Sequence, residues 1–421
     1  MQNNKSKTYY FKNAPLRGEV ELQSDPNISC FLATFASLIK KECKIDGTFI
    51  SGSYTENYIQ SLVDSGLLVG SSTDRVSVSE DQDCFDSCFL DNCDILGFYK
   101  ILITLSKKGM VEVAGNNDFI GLLKYMGYYV EQKTKNISIV FNKTVESRES
   151  LTFHETNLTY FFVSILIFIL SCKKFAISIP NISYEISLLI DLFKEHNLIE
   201  DVIYGNFVTI HFNLEALDST EFLNLQAPKD SEELIFWAFA TLATGGEIRI
   251  NGLSSNTVIS TLKILSDVGA GFESLSDKSL KIWGKVDSEK LKNVVISDSS
   301  SHLIFTKLCL LSLLSNSIEG PDVSVKFNLD TEKFKNTILD FNRLGSSIKI
   351  DTVDTVEIFE GKIKSGTVYL EENQEETAYA NIIFAICSDG KVGIKNIDCV
   401  SFYNNNLVSK LLSLGANIKE L

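Results

Sequence analysis

Leu234-Ile235-Phe236-Trp237-Ala238-Phe239-Ala240-Thr241-Leu242 is apolar at helical spacing, Gly245-Gly246 breaks it, and Glu247-Ile248-Arg249-Ile250-Asn251 alternates at strand period. After Gly252, the run Val258 to Val268 is amphipathic and Gly269 follows it as a helix-stop signal. This helix, turn, strand, loop and second helix recurs along the chain at intervals of about 70 residues.

Phe31 to Gly66 carries the pattern around Cys43-Lys44-Ile45-Asp46, and Phe98 to Gly127 carries it around Met110-Val111-Glu112-Val113. Tyr160 to about Asn197 follows around Phe175-Ala176-Ile177-Ser178-Ile179. Leu303 to Gly345 and Tyr379 to Gly415, with Val392-Gly393-Ile394-Lys395, complete six copies. The second helix stops at Gly66, Gly127, Gly269, Gly345 and Gly415, and His196-Asn197 takes that place in the third copy. Strand-like segments lie between copies at Asn136 to Phe141, Phe207 to Phe212 and Lys278 to Trp283. The pattern predicts an α/β fold.

A chain of 421 residues suits two domains. The apolar run Tyr160 to Leu170 is shorter than a membrane span and reads as a buried helix. Met1 to Gly18 lacks the apolar core of a secretory signal, and nine cysteines without such a signal point to reduced thiols, so a cytoplasmic protein is expected. A net charge of −15 argues against nucleic-acid and anionic-membrane partners. The chain has five arginines, Arg17, Arg75, Arg148, Arg249 and Arg343, and its lysines are scattered.

Asp398-Cys399-Val400-Ser401, running to Leu411-Leu412-Ser413-Leu414-Gly415-Ala416, resembles the Glu-Cys-Val-Ser block and closing helix of the enolpyruvyl transferase family, in its 5-enolpyruvylshikimate-3-phosphate synthase branch. Pro228-Lys229-Asp230-Ser231 resembles that branch's Pro-Gly-Asp-x-Ser-Ser hinge, and Ser24-Asp25-Pro26-Asn27-Ile28-Ser29 its Gly-Asp-Lys-Ser-Ile-Ser motif. The resemblance implies a two-domain inside-out α/β barrel of six repeated units, three per domain. Residues 25–225 would form one domain and 1–24 plus 226–421 the other, with hinges near Ser24-Asp25 and Ala227-Pro228. The branch that acts on a UDP-sugar is a weaker match: of its Lys-Asn pair, Asn27 alone lines up, and the second copy is short for its cysteine loop.

The family reaction joins the enolpyruvyl group of phosphoenolpyruvate to a substrate hydroxyl and expels phosphate. Several oxyanions must be held, which calls for fixed cations and above all for arginine forks. Carried over residue by residue, the family's cations fall on Pro26, Phe31, near Asp118, on the Thr377-Ala378-Tyr379 stretch that ends at Tyr379, and on Phe402. Four are neutral here and one is acidic. Ile296-Ser297-Asp298 lines up with the family's Ile-Pro-Asp, making Asp298 the candidate base for the hydroxyl. Asp330-Thr331-Glu332-Lys333 lines up with Glu-Ser-Asp-Arg, making Asp330 a candidate proton-handling carboxylate and Lys333 a phosphoenolpyruvate ligand. Asn27, Ser29 and His302 are the remaining candidates for substrate contact. Local alternatives stand beside these roles: Asp298 as a helix N-cap, and Asp330 with Lys333 as an ordinary i,i+3 pair.

Two readings follow: a divergent enolpyruvyl transferase, or a non-catalytic relative that keeps the scaffold to bind a small molecule in the interdomain cleft or a protein partner. No cofactor is expected, because no glycine-rich nucleotide loop occurs. Cys84, Cys88 and Cys93 lack the short Cys-x2-Cys knuckle and a nearby histidine, so no metal is expected either. Elemental analysis of the purified protein should therefore find less than stoichiometric zinc or iron. One tightly held metal per chain, lost in Cys88→Ser, would contradict this.

Overall fold

The computed structural model describes residues 7–39, 42–47, 53–65, 68–72, 75–78, 90–91, 95–114, 119–132, 136–140, 149–253, 265–266, 270–275, 279–284, 323–326, 332–352, 355–359, 361–370, 375–397, 400 and 406–421. The chain forms two compact units. One holds Met1–Gln23, Ser51–Ser53 and Lys229–Leu421; the other holds Ser24–Ile50 and Tyr54–Pro228.

The helices of the second unit are α1 (Pro26–Ile39), α2 (Ser53–Asp64), α3 (Ile95–Lys108), α4 (Ile120–Tyr125), α5 (Leu158–Ser171) and α6 (Tyr184–Glu195). Those of the first are α7 (Ser231–Thr244), α8 (Glu332–Arg343), α9 (Glu375–Cys387) and α10 (Leu407–Ser413). Helices α1, α3 and α5 pack on one another, as do α7 and α9. Apolar side chains lie on every side of α5, and Phe161 to Phe168 is an unbroken buried run, so this helix belongs inside the unit. Among the described residues no helix is long and apolar enough to cross a membrane.

The strands form six sheets among the described residues, and five share one connectivity. In each, a strand runs parallel to the one that follows the buried helix, and two further strands add antiparallel. Thus Arg17–Glu21 is parallel to Glu247–Asn251, which pairs antiparallel with Ser279–Trp283, which pairs with Gly271–Leu275. Lys174–Ile179 lies in the same way between Ser150–Thr152 and Val208–Asn213, with Ile199–Tyr204 at the edge. In the sheet of Val323–Lys326, Thr355–Phe359 and Ser347–Thr352 all pairings are antiparallel.

Two sheets of the first unit draw on the N-terminus. Thr8–Lys12 sits between Val392–Lys395 and Asn417–Glu420, and Arg17–Glu21 borders Glu247–Asn251. The first sheet of the second unit takes its parallel strand, Phe222–Gln226, from that unit's far end. Each unit is thus closed by strands distant in sequence.

The second helices end alike. Gly127 after α4, Gly345 after α8 and Gly415 after α10 have φ of 91°, 103° and 88°, and Asn197 after α6 adopts the same left-handed region at 57°. In all four the next amide reaches back to the helix: Tyr128 N to Leu123 O, Leu198 N to Phe193 O, Ser346 N to Phe341 O and Ala416 N to Leu411 O, at 2.8 to 3.0 Å. Asparagine tolerates this conformation through its short polar side chain, which explains why it stands in for glycine.

Each unit has its own apolar core. In one, Phe175 is stacked between Phe168 and Phe212 at 4.5 and 4.6 Å. In the other, Phe341 of α8 stacks on Phe384 of α9 at 4.2 Å.

Gly246 is required for close approach. A Cβ there would overlap the Leu16 carbonyl oxygen and lie 2.8 Å from the Leu16 nitrogen, where the N-terminal segment bonds to Glu247 N. Gly246→Ala should lower stability by about 2–4 kcal/mol through this backbone clash, read as a lower urea midpoint at unchanged slope. Gly121→Ala on α4, with open space around the new methyl, should be neutral or slightly stabilising.

Candidate functional site

Helix α1 begins within the stretch Ser24 to Ser29, and its N-terminus is closed from within. Asp25 Oδ1 accepts from Ile28 N at 2.8 Å, which caps the helix with its own carboxylate. Pro26 is buried at the first helical position and Asn27 is exposed. Ser29 is fully buried, and its Oγ has no hydrogen-bond partner among the described residues. Phe31 has no solvent exposure and packs on Phe162 at 4.7 Å and Phe193 at 6.2 Å.

Helix α7 begins at the second motif with a denser arrangement. Asp230 caps it, Oδ1 accepting from Glu232 N at 2.8 Å and Glu233 N at 3.2 Å. Glu233, three residues into a capping-box pattern, would ordinarily reach back to its own N-cap amide. Here that amide, Asp230 N, donates to Gln23 O at 2.9 Å, and Glu233 turns to other donors. Its Oε2 accepts from Gln23 N at 2.7 Å, and its Oε1 accepts from Trp237 Nε1 at 3.1 Å and from Lys410 Nζ at 2.5 Å. Lys410 also donates to Glu21 O at 2.9 Å, and Lys229 donates to Leu22 O at 2.8 Å. Both lysines thus hold the end of strand Arg17–Glu21. Burial, and then the neighbouring Glu233, push the Asp230 carboxyl up to about 6.

Helices α8 and α9 carry the remaining described candidates. Lys333 lies in the first turn of α8, and Tyr379 of α9 is fully buried against Phe236, with ring centroids 4.9 Å apart. Asp298, Asp330, His302, Asp118 and Phe402 lie outside the described residues, as do Cys84, Cys88 and Cys93. Between α8 and α9 is a cavity of about 330 Å³ lined by Asn336, Thr337, Asp340, Tyr369, Thr377 and Asn381, among others. Of its polar residues, Thr377 alone falls in a stretch that the sequence singles out, Thr377-Ala378-Tyr379; Glu233 is legible as the third residue after an Asp N-cap.

Of the arginines whose side chains are described, Arg343 pairs with Asp340 of this cavity and the other two lie elsewhere. Arg17 and Arg249 line a shallow concavity of about 720 Å³ on the outer face of the Glu247–Asn251 sheet, with Lys281 and Trp283. There Arg249 faces Glu19 at 3.8 Å, Lys281 pairs with Glu247 at 2.8 Å, and Trp283 lies across Gly271, as on a solvated sheet face. Arg343 pairs with Asp340 at 3.1 Å near the end of α8. Among the described residues no group of three or more potential ligands is placed to hold a metal ion.

No protein-family model matches the chain. Comparison with solved structures matches the enolpyruvyl transferase NikO from Streptomyces tendae with a TM-score of 0.75 and 12% identity, over 99% of this chain and 98% of that one. EPSP synthase from Acinetobacter baumannii matches with a TM-score of 0.68 and 12% identity, over 99% of both chains. The chain has the enolpyruvyl transferase fold. Among curated sequences, UDP-N-acetylglucosamine 1-carboxyvinyltransferase from Campylobacter fetus is 27% identical over 189 residues, which is 43% of this chain and 42% of that enzyme. The sequence match therefore spans less than half of that relative and falls on the UDP-sugar branch, whereas EPSP synthase is among the structural neighbours.

The raised Asp230 carboxyl makes a prediction. Between about pH 4 and 6 the folded chain binds more protons at this site than the unfolded chain, so its contribution to stability is full below the ordinary carboxylate value and lost as pH rises through about 6. Asp230→Asn keeps the capping oxygen and removes the titration. Thermal melts from pH 4 to 7.5 should show the variant gaining on the wild type as pH rises, by up to about 3 kcal/mol. A difference that stays flat, or changes in the opposite direction, would contradict the assignment.

Proposed function

We propose that this protein is a divergent, catalytically impaired relative of 5-enolpyruvylshikimate-3-phosphate synthase that serves as a ligand- or partner-binding scaffold. In this reading the six sheets belong to an inside-out barrel of six units, three per domain, and the chain crossings near Ser24-Asp25 and Ala227-Pro228 act as hinges. A small molecule in the interdomain cleft or a protein partner is its expected target.

One observation carries the proposal: Phe31 and Tyr379, where family cations would stand, are wholly buried in aromatic packing. An arginine at either place would have to leave a charge in an apolar core, which is strongly unfavourable without a partner. The helix N-termini beside them add to this. Backbone amides at such termini ordinarily receive anions, yet those of α1 and α7 are already capped by Asp25 and Asp230. Lys229 and Lys410 are committed to the strand end. Loss of one preorganised charge contact commonly costs about 100-fold in rate, so loss of several removes measurable turnover.

A second reading is favoured by the sequence match to the UDP-sugar enzyme. It is an active carboxyvinyl transferase using phosphoenolpyruvate on 3-phosphoshikimate or a less anionic hydroxyl acceptor, with Asp298 as base, Asp330 as the proton-handling carboxylate and Lys333 on phosphoenolpyruvate. The test is phosphate release from phosphoenolpyruvate at millimolar concentration, with shikimate 3-phosphate or UDP-N-acetylglucosamine as acceptor. No release above the acceptor-free control is expected. Steady release that disappears in Asp298→Ala would overturn the scaffold proposal in favour of the enzyme.

A further inference from the structure

The sheet that Thr8–Lys12 completes with Gly366–Tyr369, Val392–Lys395 and Asn417–Glu420 turns one face to the core and the other outward. Strand alternation sorts its side chains. Phe11, Val368, Val392 and Ile394 are buried in the core, and Ile418 packs against it. Tyr10, Lys12, Tyr369, Lys395 and Lys419 therefore stand on the outer face, and the exposed Lys391 joins them just before Val392.

Four cations thus share this face, and among the described residues none of them makes an ion pair. The nearest described acids are engaged elsewhere: Glu420 pairs with Lys7 at 2.7 Å, and Asp389 Oδ1 accepts from Asn13 N at 3.3 Å. Lysines on the other sheets behave differently. Lys44 pairs with Asp46, Lys174 with Glu215, Lys281 with Glu247 and Lys349 with Glu357. In a chain with 54 acidic and 39 basic residues, a cluster of lysines without acids is the opposite of what composition favours. Like charges on neighbouring strands also repel, so the arrangement works against the fold until carboxylates are laid across it.

Two tyrosines lie among the lysines. Tyr369 is opposite Lys395 and Tyr10 is opposite Lys419 on adjacent strands. The Tyr10 ring lies across Gly393, where a Cβ would stand 2.7 Å from its Cζ, and Tyr369 is 60% exposed. Each cation thus has apolar surface beside it. A nucleic acid fits this face poorly. It carries charge along its whole length, which would meet the field of a molecule at −15, and these strands offer no arginine fork for phosphate. A short acidic segment places its charge over the lysines, while carboxylates more than about 10 Å away are screened at ordinary salt.

We propose that the outer face of this sheet binds an acidic, extended segment of a protein partner. Its carboxylates meet Lys12, Lys391, Lys395 and Lys419, and its apolar residues rest on Tyr10 and Tyr369. Alternate residues of an extended segment repeat at about 6.8 Å, the same interval that separates alternate side chains on the strands beneath. None of the candidate catalytic residues lies on these strands, so this binding and the transferase question stand or fall separately.

The probe is a fluorescein-labelled peptide of alternating glutamate and valine, titrated with the full chain and read by anisotropy. It should bind with a Kd of about 100 μM or below at 50 mM salt, and severalfold more weakly at 300 mM. The same peptide with glutamine for glutamate should not bind. Lys12→Glu combined with Lys391→Glu should weaken binding about tenfold or more, since each reversal turns attraction into repulsion. Replacing the same two by arginine should leave it within about twofold, and Lys174→Glu, on a sheet of the other unit, should leave it unchanged. Melts of the variants check that the fold stands, and the salt and glutamine arms test the charge on the wild-type chain alone. No binding of the peptide, or binding indifferent to the lysine reversals, would overturn the proposal. Tighter binding of an oligodeoxythymidylate of equal length, or of vesicles rich in phosphatidylserine, would overturn it in favour of a nucleic acid or a membrane.

Discussion

The Glu233 carboxylate, buried beneath α7 and bonded at once to Gln23 N, Trp237 Nε1 and Lys410 Nζ, is the contact on which the first unit depends. A charge taken out of water is tolerated when paired and when its lone pairs are filled, and the three donors, one of them cationic, meet both conditions. Each donor comes from a different part of the chain: the end of the N-terminal strand, the body of α7, and α10 near the C-terminus. The carboxylate therefore joins segments about 200 residues apart at one point. Removing it would leave Gln23 N without its acceptor and Lys410 without its carboxylate partner, a loss larger than that of a surface pair.

The same point explains how the chain passes between units. Asp230 N bonds to Gln23 O on one side, and Asp25 N bonds to Pro228 O at 2.8 Å on the other, so the two connecting segments are tied to each other. Because Thr8–Lys12 and Arg17–Glu21 complete sheets whose other strands come from the C-terminal half, the first unit is not finished until the whole chain is available. Such long-range pairing carries a loop-closure cost that local helix contacts avoid.

Chemistry and packing point the same way at the helix N-termini. The described helix N-termini of α1 and α7 carry self-capping carboxylates at Asp25 and Asp230, and Phe31 and Tyr379 lie in aromatic cores. Among the described residues, Ser29 Oγ and Asn381 Oδ1 are buried with no hydrogen-bond partner.

Local patterns in the sequence determined much of the frame. The apolar run Leu234 to Leu242, the glycine pair after it and the alternating Glu247 to Asn251 became α7, its left-handed cap and a central strand, because helix and strand periodicities report which faces are buried. His196-Asn197 was legible as a helix stop, since few residues tolerate positive φ. What only tertiary structure decided is which polar atoms meet. Asn381 and Thr337 are brought together by the packing of α8 on α9, and Glu233, Gln23 and Lys410 by closure of the chain ends. Nothing in a linear pattern records such meetings, because a hydrogen bond depends on distances between atoms that packing, and not spacing along the chain, brings within reach.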